Sequence, residues 1–302
     1  MFDIITVGHL AIDLIKSARI TSPKPTLGGS PAYVSLAAAK LGAKVSVVSK
    51  VGRDFPKDYV KLLRENNIDL SGLKLVQDAL TTKFLLKYQN NWKRTLQLKN
   101  RAPPISASDF SLLPTKAIHV APIANEIFKD VILKLRRSTN ILSLDPQGFV
   151  RGFDTKGKVY LKRWLGEAVL ELIDIYKSSQ DEVKMVTETN DIKLAAEKIR
   201  DLGVKIVIIT QGVHGSTLFF EKSSYSVPAY QPNLVLDPTG AGDAFIGAFL
   251  AEYLRDGDPL WCACVGAACA SFVVEGIGSE RFGERQETYE RANEIYEKQL
   301  RN

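Results

Sequence analysis

At 302 residues, with 45% hydrophobic and 25% charged residues, the chain has a globular composition. It carries enough apolar mass for one large α/β domain, or a main domain with a small appendage. The formal net charge of +6 comes from Lys and Arg interleaved with Asp and Glu, without a basic tail or an aromatic-basic tract. That argues against nucleic acid and for a solvated surface plus a site for an anionic ligand. The longest mostly apolar stretch, Leu260 to Val274, is short of a membrane span. The N-terminus shows no secretory leader, so a cytoplasmic protein without a membrane partner is expected.

Strand-like and helix-like segments alternate along the chain. Asp3 to Gly8 reads as a buried strand, and Pro31 to Leu41 as a helix with proline in its first turn and Gly42 at its end. Val45 to Val51 is the next strand and Phe55 to Asn66 the next helix. Ala117 to Val120 precedes a helix from Glu126 to Arg137, and Ile141 to Leu144 precedes an irregular and helical stretch through about Tyr176. Val183 to Thr187 reads as a strand before the helix Asp191 to Leu202, and Val204 to Thr210 as a strand before Thr217 to Phe220. Ala241 to Leu300 is nearly all helix. Such alternation predicts an α/β fold, a mostly parallel central sheet flanked by helices.

Two segments break the pattern. Lys16 to Thr26 is polar with two prolines, and Thr81 to Lys99 alternates, turns at Gln89-Asn90-Asn91 and alternates back, as a β-hairpin does. Both follow early strands. Residues 14–27 and 81–99 are therefore expected to form a small β flap over the carboxyl ends of the sheet, within one domain spanning 1–302. The three cysteines, Cys262, Cys264 and Cys269, fall on one predicted helix without a CxxC pair and read as buried thiols. His119 reads as a core residue and His214 as a solvated one.

The most informative segment is Asp237-Pro238-Thr239-Gly240-Ala241-Gly242-Asp243-Ala244-Phe245. A glycine-rich turn opens a helix, whose free N–H groups and positive dipole end bind anions. Asp243 follows directly, placed to take a proton from an attacking hydroxyl beside a bound phosphate. There is no GxxxxGK[ST], no complete dinucleotide fingerprint and no HExxH. A second glycine turn, Thr210-Gln211-Gly212-Val213-His214-Gly215, joins two strands where backbone could approach a nucleotide.

These motifs together resemble the ribokinase-like, or PfkB, carbohydrate kinase family. The resemblance runs through Gly8-His9-Leu10-Ala11-Ile12-Asp13, Gly28-Gly29-Ser30-Pro31-Ala32, Val51-Gly52-Arg53-Asp54-Phe55, Asp145-Pro146-Gln147 and the turn at Thr210, and closes on Asp237 to Phe245. It implies ATP-dependent phosphoryl transfer to a hydroxyl of a sugar or cyclitol under a β lid, with Mg²⁺ arriving on the ATP. Asp243 would be the base, and Thr239, Gly240, Ala241 and Gly242 would hold phosphate. Thr210, Gly212, Gly215 and Gly278 would line the nucleotide site. Asp13, Gly28, Gly29, Tyr33, Gln147 and Arg151 would meet the acceptor. Asp237 and the Gly276 to Ser279 turn match a region that takes a monovalent cation such as K⁺ in many members.

The chain departs from the family's Asn-x-x-Glu, which reads here as Thr187-Glu188-Thr189-Asn190, so either Glu188 reaches the metal through water or the metal is supported differently. Ser30 and Tyr33 stand where sugar-binding members often carry Lys and Asn, which argues against ribose itself. Tyr33 either stacks on a substrate ring or packs in the first helix, and Arg151 either reaches substrate or lies at the surface. A nucleoside kinase is the alternative, favoured by an apolar slot for a base. A non-catalytic nucleotide or sugar sensor is the alternative from another class. Apolar residues on the hairpin fit either a homodimer paired through the lid or a lid packed on its own domain.

Overall fold

The computed structural model describes residues 1–17, 22–89, 94–109, 111 and 114–300. In chain order its first elements are β1 (Phe2–Val7), β2 (Ala11–Lys16), β3 (Lys24–Gly28), α1 (Ser30–Lys40), β4 (Val45–Gly52) and α2 (Lys57–Glu65). Next come β5 (Leu73–Val76), β6 (Thr82–Tyr88), β7 (Arg94–Asn100), β8 (Thr115–Val120), α3 (Lys129–Arg136) and β9 (Ile141–Leu144). A short hairpin, β10 (Arg151–Phe153) and β11 (Val159–Leu161), precedes α4 (Glu167–Leu170), β12 (Ile175–Ser179), α5 (Gln180–Thr187) and α6 (Ile192–Asp201). The chain ends with β13 (Ile206–Thr210), β14 (Ser216–Phe220), β15 (Ser223–Val227), α7 (Ala241–Tyr253), α8 (Pro259–Val273) and α9 (Arg285–Leu300).

Nine strands form one sheet in the order β15-β14-β13-β12-β9-β8-β1-β4-β5. All its pairs are parallel except β13-β14 and β14-β15. The central strands bury both faces, so they read as continuous apolar runs such as Ile206-Val-Ile-Ile. Helices α1, α7 and α8 pack on one face, around Ile4, Ile175, Ile206 and Ile208, and α3 and α6 pack on the other, around Ile5, Val7, Val207 and Ile209. The carboxyl ends of β9, β12 and β13, with Ile123 after β8, open into one cleft, where ligands bind in open α/β sheets.

A second sheet, in the order β3-β2-β6-β7, stands apart from the first. It takes in the hairpin expected from the alternation at Thr81 to Lys99, while residues 90–93 of its turn lie outside the described residues. Register puts Asp13 beside Phe84 and Ile15 beside Leu86 on one face. Phe84, Leu86 and Tyr88 on that face are buried against Ile123 and Ala124 of the main body. Packing on its own domain thus accounts for the hairpin's inward apolar residues.

One predicted element is corrected. Val183 to Thr187, expected as a strand for its β-branched residues, belongs to α5. Ser179 and Glu182 form a reciprocal capping box that starts a helix there. Val183 and Thr187, one turn apart, share its buried side. The strand lies just upstream as β12, which includes Tyr176.

Candidate active site

The cleft, about 660 Å³, runs between the two sheets and along the N-terminus of α7. Gly240 caps that helix at φ 78°, the left-handed region that favours glycine. A Cβ on Gly240 would lie 2.1 Å from the Tyr33 ring, so the turn rests directly on that ring. The N–H groups of Gly240 and Gly242 make no hydrogen bond within the described protein, whereas that of Ala241 reaches the Pro238 carbonyl at 3.4 Å. This leaves an anion-binding end facing the cleft. Asp243, in the first turn of α7, accepts from Ser30 Oγ at 2.6 Å and from Gln147 Nε2 at 3.1 Å.

Across the cleft, Asp13 is 6% exposed and has no hydrogen bond from its carboxylate to any described residue. Burial and the charge of Asp237, opposed by Arg151 and Arg94, push it up to about 7. A carboxylate held in this way awaits polar hydrogens from a ligand. Gly28 serves Asp13 rather than the substrate: a Cβ there would meet the Asp13 carboxyl at 2.2 Å. Gly29 does line the cleft.

Lys177, in the middle of β12, forms a buried ion pair with Asp145 at 2.7 Å. Burial alone would push its ammonium down, but Asp145, Asp243 and Glu182 outweigh this and hold it above its ordinary value. A Cβ on Gly242 would lie 2.8 Å from Lys177 Nζ, so the ammonium stands beside the anion-binding turn. Lys177 was not foreseen from the sequence. Its signal is a lone lysine directly after Ile175-Tyr176, where the stretch expected to be irregular and helical ends.

The cleft is also lined by Thr210, Gly212 and Gly215, and by an apolar group made of Val213, Tyr230 and Val235 with Ala267 and Ala270 of α8 and Val274 just after it. Lys177 and Glu182 also line the cleft.

A carboxylate at a helix start, an anion-binding turn and an apolar lining in one cleft suit a kinase. The description "pfkB family carbohydrate kinase" matches residues 1–283. The chain belongs to the pfkB family. It is 31% identical over 290 residues to the cytidine kinase of Thermococcus kodakarensis, covering 92% of this chain and 98% of that one. It is 29% identical over 298 residues to a nucleoside kinase of Methanothermobacter thermautotrophicus, covering 92% and 91%. A pyrophosphate-dependent kinase in the ribokinase family, solved with a pyrophosphate analog and myo-inositol, superposes with a TM-score of 0.81 at 25% identity over 95% of this chain and 99% of that one. The protein is a kinase with a ribokinase-like fold.

Within this kinase, several residues stand elsewhere than their motifs suggested. Glu188 caps the far end of α5, exposed and ion-paired to Arg163, and is not on the cleft wall. Glu182, three residues after Ser179, lines the cleft instead, as does its neighbour Asp181. Gly278 also stays out of the cleft: its N–H donates to Asp237 Oδ2 at 2.8 Å, and Thr26 lies against it. Asp237 accepts two further bonds from Thr239, at 3.0 and 2.6 Å, so protein donors satisfy its carboxylate. Among the described residues no group of three or more His, Cys, Asp or Glu could hold a metal ion.

Tyr33 packs: it is 1% exposed, carries Gly240 on its ring and tilts against Phe282 with ring centroids 6.4 Å apart. Arg151 is buried rather than superficial and donates to Gln147 Oε1 and to the Ile123 carbonyl. His119 bonds Ser143 through Nδ1 and leaves Nε2 without a partner; burial, reinforced by Lys177, pushes it down to about 3, so it is neutral. No helix among the described residues is long and apolar enough to cross a membrane.

Proposed function

We propose that this kinase transfers the γ-phosphoryl group of ATP to a hydroxyl of a nucleoside. The observation that carries this is the mixed character of the cleft's small-sheet wall. It sets an unpartnered carboxylate, Asp13, within electrostatic reach of Asp243 and directly beside Phe84, with Leu86 and Leu96 of the same sheet and Ile123 of the body adding apolar lining. A ribose fits the carboxylate and a base the apolar lining, as the names of the two relatives support. A free sugar or cyclitol would leave the apolar lining unused. The myo-inositol complex of the structural relative keeps that second reading open to test.

In this reading Asp13 accepts hydrogen bonds from acceptor hydroxyls, and Asp243 takes the proton of the hydroxyl that attacks. The N–H groups at the start of α7 and the Lys177 ammonium stabilise negative charge on the phosphoryl in transit. The small sheet acts as a lid that excludes water. Magnesium bound to the nucleotide would neutralise phosphate charge and keep most of its water shell, and Glu182 on the cleft wall would reach it through water. The apolar group that includes Val213 favours a nucleotide donor over pyrophosphate.

The test is ADP or phosphate release with ATP or pyrophosphate against nucleosides, sugars and inositols, with Asp243→Asn as the blank. Turnover on nucleosides, lowered at least about 100-fold in the blank, supports the reading. Turnover only on sugars or inositols refutes the acceptor, and near-normal turnover in Asp243→Asn refutes the base.

A further inference from the structure

The two carboxylate oxygens of Asp243 have unequal surroundings. Oδ1 accepts from Ser30 Oγ at 2.6 Å and from Gln147 Nε2 at 3.1 Å. Oδ2 accepts no hydrogen bond from the described residues. Gln147 is itself held at both ends. Its Oε1 accepts from Arg151 Nη2 at 2.5 Å, and its backbone N–H donates to Asp145 Oδ1 at 3.0 Å. Arg151 in turn donates to the Ile123 carbonyl at 3.0 Å, and its own carbonyl accepts from Asn125 Nδ2 at 2.9 Å. Gln147 is 8% exposed and Arg151 7%.

An amide can be turned over with little change of shape. Here that would set the Gln147 carbonyl against a carboxylate and its NH₂ against a guanidinium, replacing two hydrogen bonds by two repulsions. Arg151 therefore fixes which end of Gln147 meets Asp243.

We propose that Gln147, oriented by Arg151, is a positioning residue for Asp243. With Ser30 it ties down Oδ1 and leaves Oδ2 to receive the acceptor's proton. The step balances: the acceptor O–H proton passes to Oδ2, the acceptor oxygen bonds the γ-phosphorus, and the bond from that phosphorus to the β,γ-bridging oxygen breaks, its electron pair leaving on ADP. Without the two donors, the carboxylate rotates among orientations that present the wrong oxygen or neither, which lowers the reactive fraction without weakening binding. The proposal rests on Asp243 being the base.

The experiment is steady-state kinetics on a set of variants with thermal unfolding as the fold control. Gln147→Leu should lower kcat about 10- to 100-fold, with acceptor and donor KM within about threefold of the parent. Ser30→Ala should follow the same pattern. Gln147→Glu, which sets a carboxylate against Oδ1 in the same shape, should fall below Gln147→Leu. In the Asp243→Asn background, Gln147→Leu should change the residual rate by less than about twofold, since the atom it positions is gone. A raised acceptor KM at near-normal kcat would make Gln147 a substrate ligand and overturn the proposal. So would full kcat in both Gln147→Leu and Ser30→Ala beside an inactive Asp243→Asn. Full turnover in Asp243→Asn is a different result, because it removes the base assignment itself. If Gln147→Leu does not fold, Ser30→Ala decides the question from α1, acting on the same oxygen.

Discussion

The Tyr88 hydroxyl, carried on the small sheet, lies 2.7 Å from the Thr239 hydroxyl in the turn that opens α7. Thr239 spends its own proton on Asp237 Oδ1, at 2.6 Å, so Tyr88 is the donor to Thr239. Asp237 Oδ2 then accepts from Gly278 N–H. One chain of hydrogen bonds thus joins the small sheet, the anion-binding turn and the loop before α9. Tyr88→Phe removes its first link and leaves the ring packed. We expect a loss of about 1 kcal/mol in holding the sheet closed, and so a several-fold fall in kcat/KM for the acceptor at nearly unchanged thermal stability. Fluorescence or hydrogen exchange of β6 and β7 should show more frequent opening. An unaltered kcat/KM would mean that the contact forms without controlling closure.

Asp13 gives a pH dependence with a definite sign. Burial, reinforced by Asp237, pushes it up to about 7 from 3.8. The folded protein therefore binds this proton more tightly than the unfolded chain does. The contribution is nil below the unfolded value, grows more unfavourable as pH rises from about 4 to about 7, and is complete above that. Asp13→Asn should stabilise the ligand-free protein at pH 8 by up to about 4 kcal/mol, and the advantage should fade towards pH 4. Acceptor hydroxyls bind the ionised form, so the acceptor KM should rise as pH falls below about 7. Unfolding temperatures of both proteins across that range check the first statement, and acceptor KM against pH the second. Parallel stability curves would mean that Asp13 is already satisfied without ligand.

Gly240 and Tyr33 make a third test. A side chain at 240 would have to adopt φ 78° and would meet the Tyr33 ring at 2.1 Å. Gly240→Ala should lose roughly two decades of turnover by displacing the N–H groups that face the phosphate. Adding Tyr33→Ala removes the collision but not the backbone strain, so only part of the rate should return. Tyr33→Phe acts differently. The Tyr33 hydroxyl is buried without a partner, so its removal should leave activity intact and stabilise the fold by about 1 kcal/mol. A drop in kcat for Tyr33→Phe would show that the hydroxyl meets a ligand.

How far the site was legible depends on how local each part is. The turn at Thr239 to Asp243 was readable because the glycines, the helix start and the carboxylate adjoin in sequence, and the structure keeps them together. The hairpin at β6 and β7 was readable from period-two alternation alone. Lys177 and Glu182 were missed because Val183, Val186 and Thr187 suggested a strand, while the capping box at Ser179 started a helix. That shift of one element carried Glu188 to the exposed end of α5 and out of the cleft lining. Arg151 could not be told from a surface residue, since its burial comes with contacts to Gln147 and to the distant Ile123 carbonyl, which no local pattern contains. Tyr88 and Thr239 meet across 151 positions, a contact no local pattern contains.

The Lys177–Asp145 pair combines stability with chemistry, and its two halves can be separated. Both side chains are buried and 2.7 Å apart. Removing either one leaves an uncompensated buried charge, a cost of about 3–5 kcal/mol. Lys177→Met and Asp145→Asn should both lower the unfolding temperature. Their kinetics should differ, because only Lys177 stands beside the anion-binding turn, 2.8 Å from the space above Gly242. At a temperature where both variants are folded, Lys177→Met should raise the donor KM at least about tenfold, as expected for the loss of a charge-assisted contact to phosphate. Asp145→Asn keeps the ammonium and should raise it much less. Equal donor KM values in the two variants would confine the pair to a structural role and leave the N–H groups of α7 to hold the phosphate alone.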